Sequence, residues 1–148
     1  MSDAVLNVID VLLVEDDPGD VILIQEAFAD NKVRNRLHSV ADGVEAIDFL
    51  RRQGQFADSP RPDLILLDLN LPRKDGREVL ADIKSDPDLC DIPIVVLTTS
   101  SSDEDILRSY RLHANAYVTK PNDFDRFVAV VRQIDDFFVN VAQLPPRA

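Results

Sequence analysis

Cysteine is almost absent from this chain. Cys90 is the only one, which excludes an internal disulfide and a cysteine-rich zinc site and fits a reducing compartment. No apolar run is long enough to span a bilayer, and Met1 to Asn7 lack the basic start and apolar core of a secretion signal, so a cytoplasmic protein is expected. Positive charge is scarce as well. A formal net charge of −11 and a pI near 4.4 disfavour binding to nucleic acid or to anionic membrane surfaces. The two histidines, His38 and His113, have no partner pattern for a metal or a nucleophile and read as structural or surface residues.

What the chain does contain is a regular alternation. Five short runs rich in Val, Ile and Leu (8–14, 36–40, 64–67, 92–97 and 116–119) are separated by amphipathic stretches. Three are nearly continuous apolar segments, as expected of strands buried on both faces, and the second reads as an edge strand. Asp17 and Pro18 supply an N-cap and a proline at the first helical position, with Val21, Leu23, Ile24, Ala27 and Phe28 as the buried side. Further helices are expected over 43–52, 76–84, 101–112 and 123–142, with Ser101 and Glu104 at capping-box spacing. A (βα) unit repeated five times predicts a doubly wound parallel five-stranded sheet with helices on both faces. At 148 residues one domain is expected, spanning 8–142 between tails at 1–7 and 143–148.

In an open parallel sheet, ligands bind beyond the carboxyl ends of the strands, near the point where strand order reverses. Strand one ends in Glu15, Asp16 and Asp17, strand three in Asp68 and Asn70, strand four in Thr98 and Thr99, and strand five in Lys120 and Pro121. In the flavodoxin-like order 2-1-3-4-5, strands one and three are neighbours and their acidic ends converge. Converging carboxylates call for a cation, and oxygen ligands without His or Cys favour Mg²⁺. Asp68 can then act as a nucleophile that carries a phosphoryl group. Lys120 and the metal would neutralise its oxygens, and the Thr98 hydroxyl offers it a hydrogen bond. Taken singly, Asp68 reads as a turn residue, Thr98 as a strand residue and Lys120 as a solvated loop lysine. Only their joint placement argues for a site.

Leu13-Val14-Glu15-Asp16, Asp68-Leu69-Asn70-Leu71-Pro72 with Asp75-Gly76, Leu97-Thr98 and Tyr117-Val118-Thr119-Lys120-Pro121 resemble the response-regulator receiver family over about residues 8 to 140. The resemblance implies a single-domain response regulator that accepts a phosphoryl group from a sensor histidine kinase in a two-component phosphorelay. It also implies a phosphoacceptor switch rather than a turnover enzyme. Glu15 and Asp16 match the family's acidic pair for Mg²⁺, Asp68 its phosphoacceptor, and Asn70 a metal ligand through its backbone carbonyl. Thr98 and Tyr117 match its switch pair, and Lys120 its phosphoryl-contacting lysine. The wording of 68–76, the Thr98-Thr99-Ser100 run, the long 53–62 loop and the Phe-rich tail further resemble regulators associated with phytochrome-type histidine kinases. Two residues depart from the pattern. Glu15 is longer than the Asp often found there, which bears on direct or water-mediated metal contact, and Thr99 is larger than the usual Ala or Gly, which bears on phosphoryl lifetime.

Two rival readings share the fold class. A flavodoxin-like cofactor binder needs a Gly, Ser and Thr loop after strand one, but here Glu15, Asp16, Asp17 and Asp20 would repel a flavin phosphate. A haloacid-dehalogenase-like phosphatase needs a second Asp that Asp68 to Pro72 lacks. At the other end of the chain, Phe124, Phe127, Val128, Val131, Ile134 and Phe138 form one stripe at about 100° per residue, enough to dock a helix. Val130, Phe137 and Val141 widen it beyond that need, with Leu144 extending the strip. This surplus, with the resemblance, points to a homodimer through the C-terminal region.

Overall fold

The computed structural model describes residues 8–31 and 34–146. The expected N-terminal tail, residues 1–7, lies outside the described residues. Five strands, β1 (Ile9–Val14), β2 (Asn35–Val40), β3 (Leu64–Leu67), β4 (Ile94–Thr98) and β5 (Ala116–Thr119), pair in parallel in the order β2-β1-β3-β4-β5. Helices α1 (Pro18–Phe28), α2 (Gly43–Arg51), α3 (Gly76–Ser85), α4 (Asp103–Arg111) and α5 (Phe124–Asp136) follow the strands in turn. This is the expected doubly wound (βα)5 sheet, with the second strand at an edge.

Strand side chains alternate between the faces. Leu12, Val14, Ile65, Leu67, Ile94 and Val96 pack with Ala46, Leu50, Val79, Leu80 and Ile83 from α2 and α3. Ile9, Val11, Leu13, Leu64, Leu66, Val95 and Leu97 pack with Ile24, Ala27 and Phe28 of α1 and Phe127 and Val131 of α5. β1 and β3 are buried throughout because both faces are covered, which explains their unbroken apolar runs.

Helix starts follow local chemistry. Asp17 caps α1, its carboxylate accepting from the Gly19 and Asp20 amides, and Pro18 takes the first helical position, where no amide is required. α4 starts later than expected. Ser102, not Ser101, is its N-cap, and the Ser102 hydroxyl accepts from the Asp105 amide. Either serine could serve by type, and the adjoining polar contacts select the second. The 53–62 segment contains a 3₁₀ turn, Gly54–Phe56, with Gly54 at a φ of 58°.

The last helix departs most from a uniform 100° reading. After Asp136 the chain runs into a π-helical turn, Phe137–Val141, closed by the Ala142 amide donating to the Phe137 carbonyl at 2.8 Å. Phe124, expected in the docking stripe, is 73% exposed because it stands in the first turn, before the helix reaches the sheet. Inside that stripe sits Asp135, whose carboxylate accepts from Asn35 at 3.0 Å and Asn31 at 2.9 Å, tying the helix to the start of β2. Burial raises its carboxyl pKa above the ordinary value. Of the expected tail at 143–148, Leu144 packs back on the α1 and α5 face.

His38, read as structural, has a definite task. Its Nε2 lies 3.0 Å from Oδ1 of the buried Asp10, which also accepts from Arg36 Nε at 3.0 Å. Burial pushes the Asp10 carboxyl up, but hydrogen bonds from His38 and Arg36 and the charge of Arg36 outweigh it, so its pKa lies below the ordinary value. A depressed carboxylate contributes stability above the unfolded-chain value and loses it as pH falls through the folded-state value. Asp10→Asn is therefore expected to cost about 1–3 kcal/mol at neutral pH. The gap to wild type should narrow as pH falls below about 4. Urea denaturation across that range measures both, and a gap independent of pH would contradict the ionic account.

Candidate functional site

Three charged residues stand one position beyond the ends of their strands and are held there by the sheet's own hydrogen bonding. The Glu15 amide donates to Val40, the Asp68 amide to Val14 and the Lys120 amide to Thr98, at 3.1, 3.1 and 2.7 Å. Each side chain therefore leaves a fixed backbone at the carboxyl edge of the sheet, where strand order reverses between β1 and β3. The loop after Asp68 closes on α3 through the Gly76 amide and the Leu69 carbonyl at 2.9 Å. A β-carbon on Gly76 would stand 2.1 Å from the Asp68 carbonyl oxygen, so only glycine permits this approach.

Lys120 organises the centre. Its ammonium, 4% exposed, donates to Glu15, to Asp20 at 2.8 Å and to Asp68 Oδ2 at 3.1 Å. Burial penalises the ammonium, but hydrogen bonds to Asp20 and Glu15 and the charges of Asp68 and Glu15 raise its pKa, so it stays charged. Burial lifts the Glu15 carboxyl to about 7, with the Asp68 charge adding to it, against the lowering by the Lys120 hydrogen bond.

Oxygens of Glu15, Asp16 and Asp68 lie within 4.8 Å of one another, Asp16 exposed at the mouth and the other two buried. One ammonium shared by Glu15, Asp20 and Asp68 leaves negative charge in excess. A cluster of hard oxygen donors without nitrogen or sulfur suits a hard divalent cation. Asn70 has an exposed side chain and donates its amide to Asp68 Oδ1 at 3.3 Å.

The expected hydroxyl and aromatic flank this centre through a single loop residue. Thr98 is fully buried, and its Oγ1 accepts from the Ser100 amide at 3.4 Å. The hydroxyl of half-buried Tyr117 donates to the Ser100 carbonyl at 2.9 Å.

The sheet thus brings together Glu15, Asp16, Asp68 and Lys120, with Asn70 adjoining them and Thr98 and Tyr117 joined through Ser100. Sequence reasoning gave Asp20 only a place among the charges that would repel a flavin phosphate, yet Asp20 accepts from the Lys120 ammonium at 2.8 Å. It also passed over Arg77 and Asp105, whose side chains pair between α3 and α4 at 2.7 Å in two places. The signal for Arg77 was electrostatic. A cation in the first turn of a helix opposes the helix dipole and implies an acidic partner nearby.

Comparison with known proteins gives consistent relatives. A profile of the response regulator receiver domain matches residues 11–132. The response regulator Rcp1 of Synechocystis sp. is 48% identical over 135 residues, 91% of this chain and 92% of Rcp1. The crystal structure of the phosphorylated cyanobacterial phytochrome response regulator RcpA superposes with a TM-score of 0.91 at 50% identity, covering 94% of this chain and 99% of that one. The Mn²⁺-bound form of Rcp1 gives 0.90 at 47% identity, covering 93% and 99%.

Removing the ammonium should expose the charge imbalance at the centre. Lys120→Met is expected to destabilise the protein by about 3–5 kcal/mol at neutral pH, because it leaves buried carboxylates unpaired. Added Mg²⁺ should then raise its melting temperature more than that of the wild type. Melting curves with and without the cation test this, and a variant as stable as wild type would show that Lys120 does not neutralise the cluster.

Proposed function

The chain belongs to the response regulator receiver domain family, and on that premise we propose that Asp68 is the residue that takes the phosphoryl group from a histidine of a sensor kinase. One observation carries the assignment. Asp68 is the carboxylate that faces both the Lys120 ammonium, 3.1 Å away, and the open acidic mouth formed with Glu15 and Asp16. Asp68 forms an oxygen–phosphorus bond as the nitrogen–phosphorus bond of the donor phosphohistidine breaks, its electron pair staying on the imidazole. Lys120 is placed to donate to a phosphoryl oxygen, and Thr98 to offer its hydroxyl to another.

Glu15, Asp16 and Asp68, with the backbone carbonyl of Asn70, would hold Mg²⁺, which supplies positive charge for the phosphoryl oxygens when bound. Self-catalysed phosphorylation of Asp68 and self-catalysed hydrolysis of the acyl phosphate are the only reactions the protein carries out itself. The unit that does this spans residues 8–142 and works in the cytoplasm.

Two further assignments concern partners. The likeness to Rcp1 and RcpA supports a phytochrome-type histidine kinase as donor. A homodimer through the C-terminal region is supported by Phe137 and Val141, 50% and 67% exposed on the π-helical turn beside half-buried Val130. An isologous contact lets one apolar strip bury itself against its twofold copy. The net charge of −11 supports output through protein contacts rather than nucleic acid or membrane.

A small phosphodonor with Mg²⁺ should add one phosphoryl group to the wild type and none to Asp68→Asn, as read by intact-mass spectrometry. Label on the Asn variant would place the acceptor elsewhere. Sedimentation at micromolar concentration should give a dimer that Phe137→Asp dissociates while Asp68 remains phosphorylatable. A wild type that sediments only as monomer would remove the dimer from the proposal.

A further inference from the structure

α4 is joined to the domain in an unusual way. Ser109 is its only fully buried residue, Ile106 is half-buried, and Leu107 and Tyr110 are about half exposed at 51% and 49%. By contrast, α3 buries Val79, Leu80 and Ile83. An element with so little apolar anchorage lies at the low-stability end of a structure and is easily displaced. What holds its first turn is polar. The Arg77 guanidinium grips Asp105 with two bonds of 2.7 Å and reaches Asp75 at 3.1 Å. With the two side chains 23% and 15% exposed, the pair is better shielded and better aligned than an ordinary surface ion pair.

Asp105 has a second task. One of its oxygens accepts from the Ser100 hydroxyl at 2.6 Å, and the hydrogen bonds from Arg77 and Ser100 hold its carboxyl well below the usual carboxylate range. Ser100 is thereby the meeting point of three elements: its hydroxyl goes to Asp105, its carbonyl accepts from Tyr117, and its amide donates to Thr98. The bond lengths rank these contacts. Those to Asp105 and Tyr117, 2.6 and 2.9 Å, are short, whereas that to Thr98 is long at 3.4 Å. Ser100 is therefore placed by Asp105 and Tyr117, and its amide stands at the far end of hydrogen-bond reach of the Thr98 hydroxyl.

We infer that Arg77 and Asp105 are positioning residues: acting through Ser100, they fix the amide that meets the Thr98 hydroxyl and couple any movement of that hydroxyl to α4 and Tyr117. The inference rests on the reading that Asp68 takes the phosphoryl group. When Thr98 turns its hydroxyl toward that group, its hold on the Ser100 amide changes. The bond from the Ser100 hydroxyl to Asp105 makes a displacement of Ser100 a displacement of α4, and the ionic fork from Arg77 ties that movement to α3. Arg77 also starts from the helix whose Gly76 lies against the Asp68 carbonyl, so both ends of the network border the acceptor loop.

The test is amide nuclear magnetic resonance of the full chain with Mg²⁺, with and without beryllium fluoride, which imitates the phosphoryl group. It compares wild type with Arg77→Gln, Asp105→Asn, Ser100→Ala and Ser100→Thr. In the wild type, beryllium fluoride should shift the signals of Thr98, Ser100, Asp105 and Tyr117. In Arg77→Gln, Asp105→Asn and Ser100→Ala the shift should persist at Thr98 but fall by about half or more at Asp105 and Tyr117. Hydrolysis of the aspartyl phosphate should change by about fivefold. Ser100→Thr, which keeps the hydroxyl, should restore both relative to Ser100→Ala, whereas an ion pair with only a structural role would leave the Asp105 and Tyr117 shifts of Arg77→Gln at wild-type size. Shifts at Asp105 and Tyr117 equal to wild type in all variants would overturn the inference while leaving Asp68 as acceptor. A wild type that neither responds to beryllium fluoride nor is phosphorylated would remove the reading beneath it.

Discussion

Everything at the carboxyl edge of the sheet depends on one ammonium shared among three carboxylates. Glu15, Asp20 and Asp68 come from the end of β1, the first turn of α1 and the end of β3, and Lys120 from the end of β5 reaches all three. Without that charge the parallel sheet would bring like charges together in a buried place, where each would drive a neighbour to take up a proton. With it, part of that charge is offset, and the cluster is still short of positive charge. That shortfall suits the site to a small cation. Because Lys120 is anchored by its own backbone bond to Thr98, the ion pair also joins the outer half of the sheet to its centre.

The fold was legible because covered strands and one-faced helices leave different periodicities. β1 and β3 read as unbroken apolar runs since helices cover both faces, and Asp17-Pro18 announced the start of α1 by a mechanism that needs only local atoms. Legibility failed where tertiary contacts chose between locally equivalent options. Ser101 and Ser102 are both fit to cap α4, and the structure uses Ser102, whose hydroxyl accepts from the Asp105 amide, while Asp105 itself is held by Arg77 of α3. Phe124 obeys the period of α5, but the helix has not met the sheet at that point.

The site followed the same division. Glu15, Asp16, Asp68, Thr98 and Lys120 could be read because each stands at or just past a strand end, where the fold class says chemistry gathers. Asp20, Arg77, Ser100 and Asp105 could not, since each makes sense only through its partner, 100 positions away for Asp20 and 28 for the Arg77 pair. Charged residues in helix first turns are common and favoured by the dipole when acidic, so the acidic partners carried no distinguishing mark. Arg77 alone ran against that preference.

The π-helical turn has a bearing on how the end of the chain can vary. A π turn holds one more residue than an α turn spanning the same gap, so it acts as a phase shift: side chains after it are rotated relative to those before it. Asp135 is buried before the turn and Val139 within it, and Leu144 returns to the same face beyond it. Loss of a single residue between Phe137 and Val141 would convert the turn to an ordinary helical one and redirect the extended chain that leaves at Ala142 and carries Leu144 back to the domain. Two exposed aromatic and aliphatic side chains would be re-aimed with it. Length in this short stretch is thus as constrained as composition, and receivers differing there by one residue would present differently facing surfaces from the same apolar sequence.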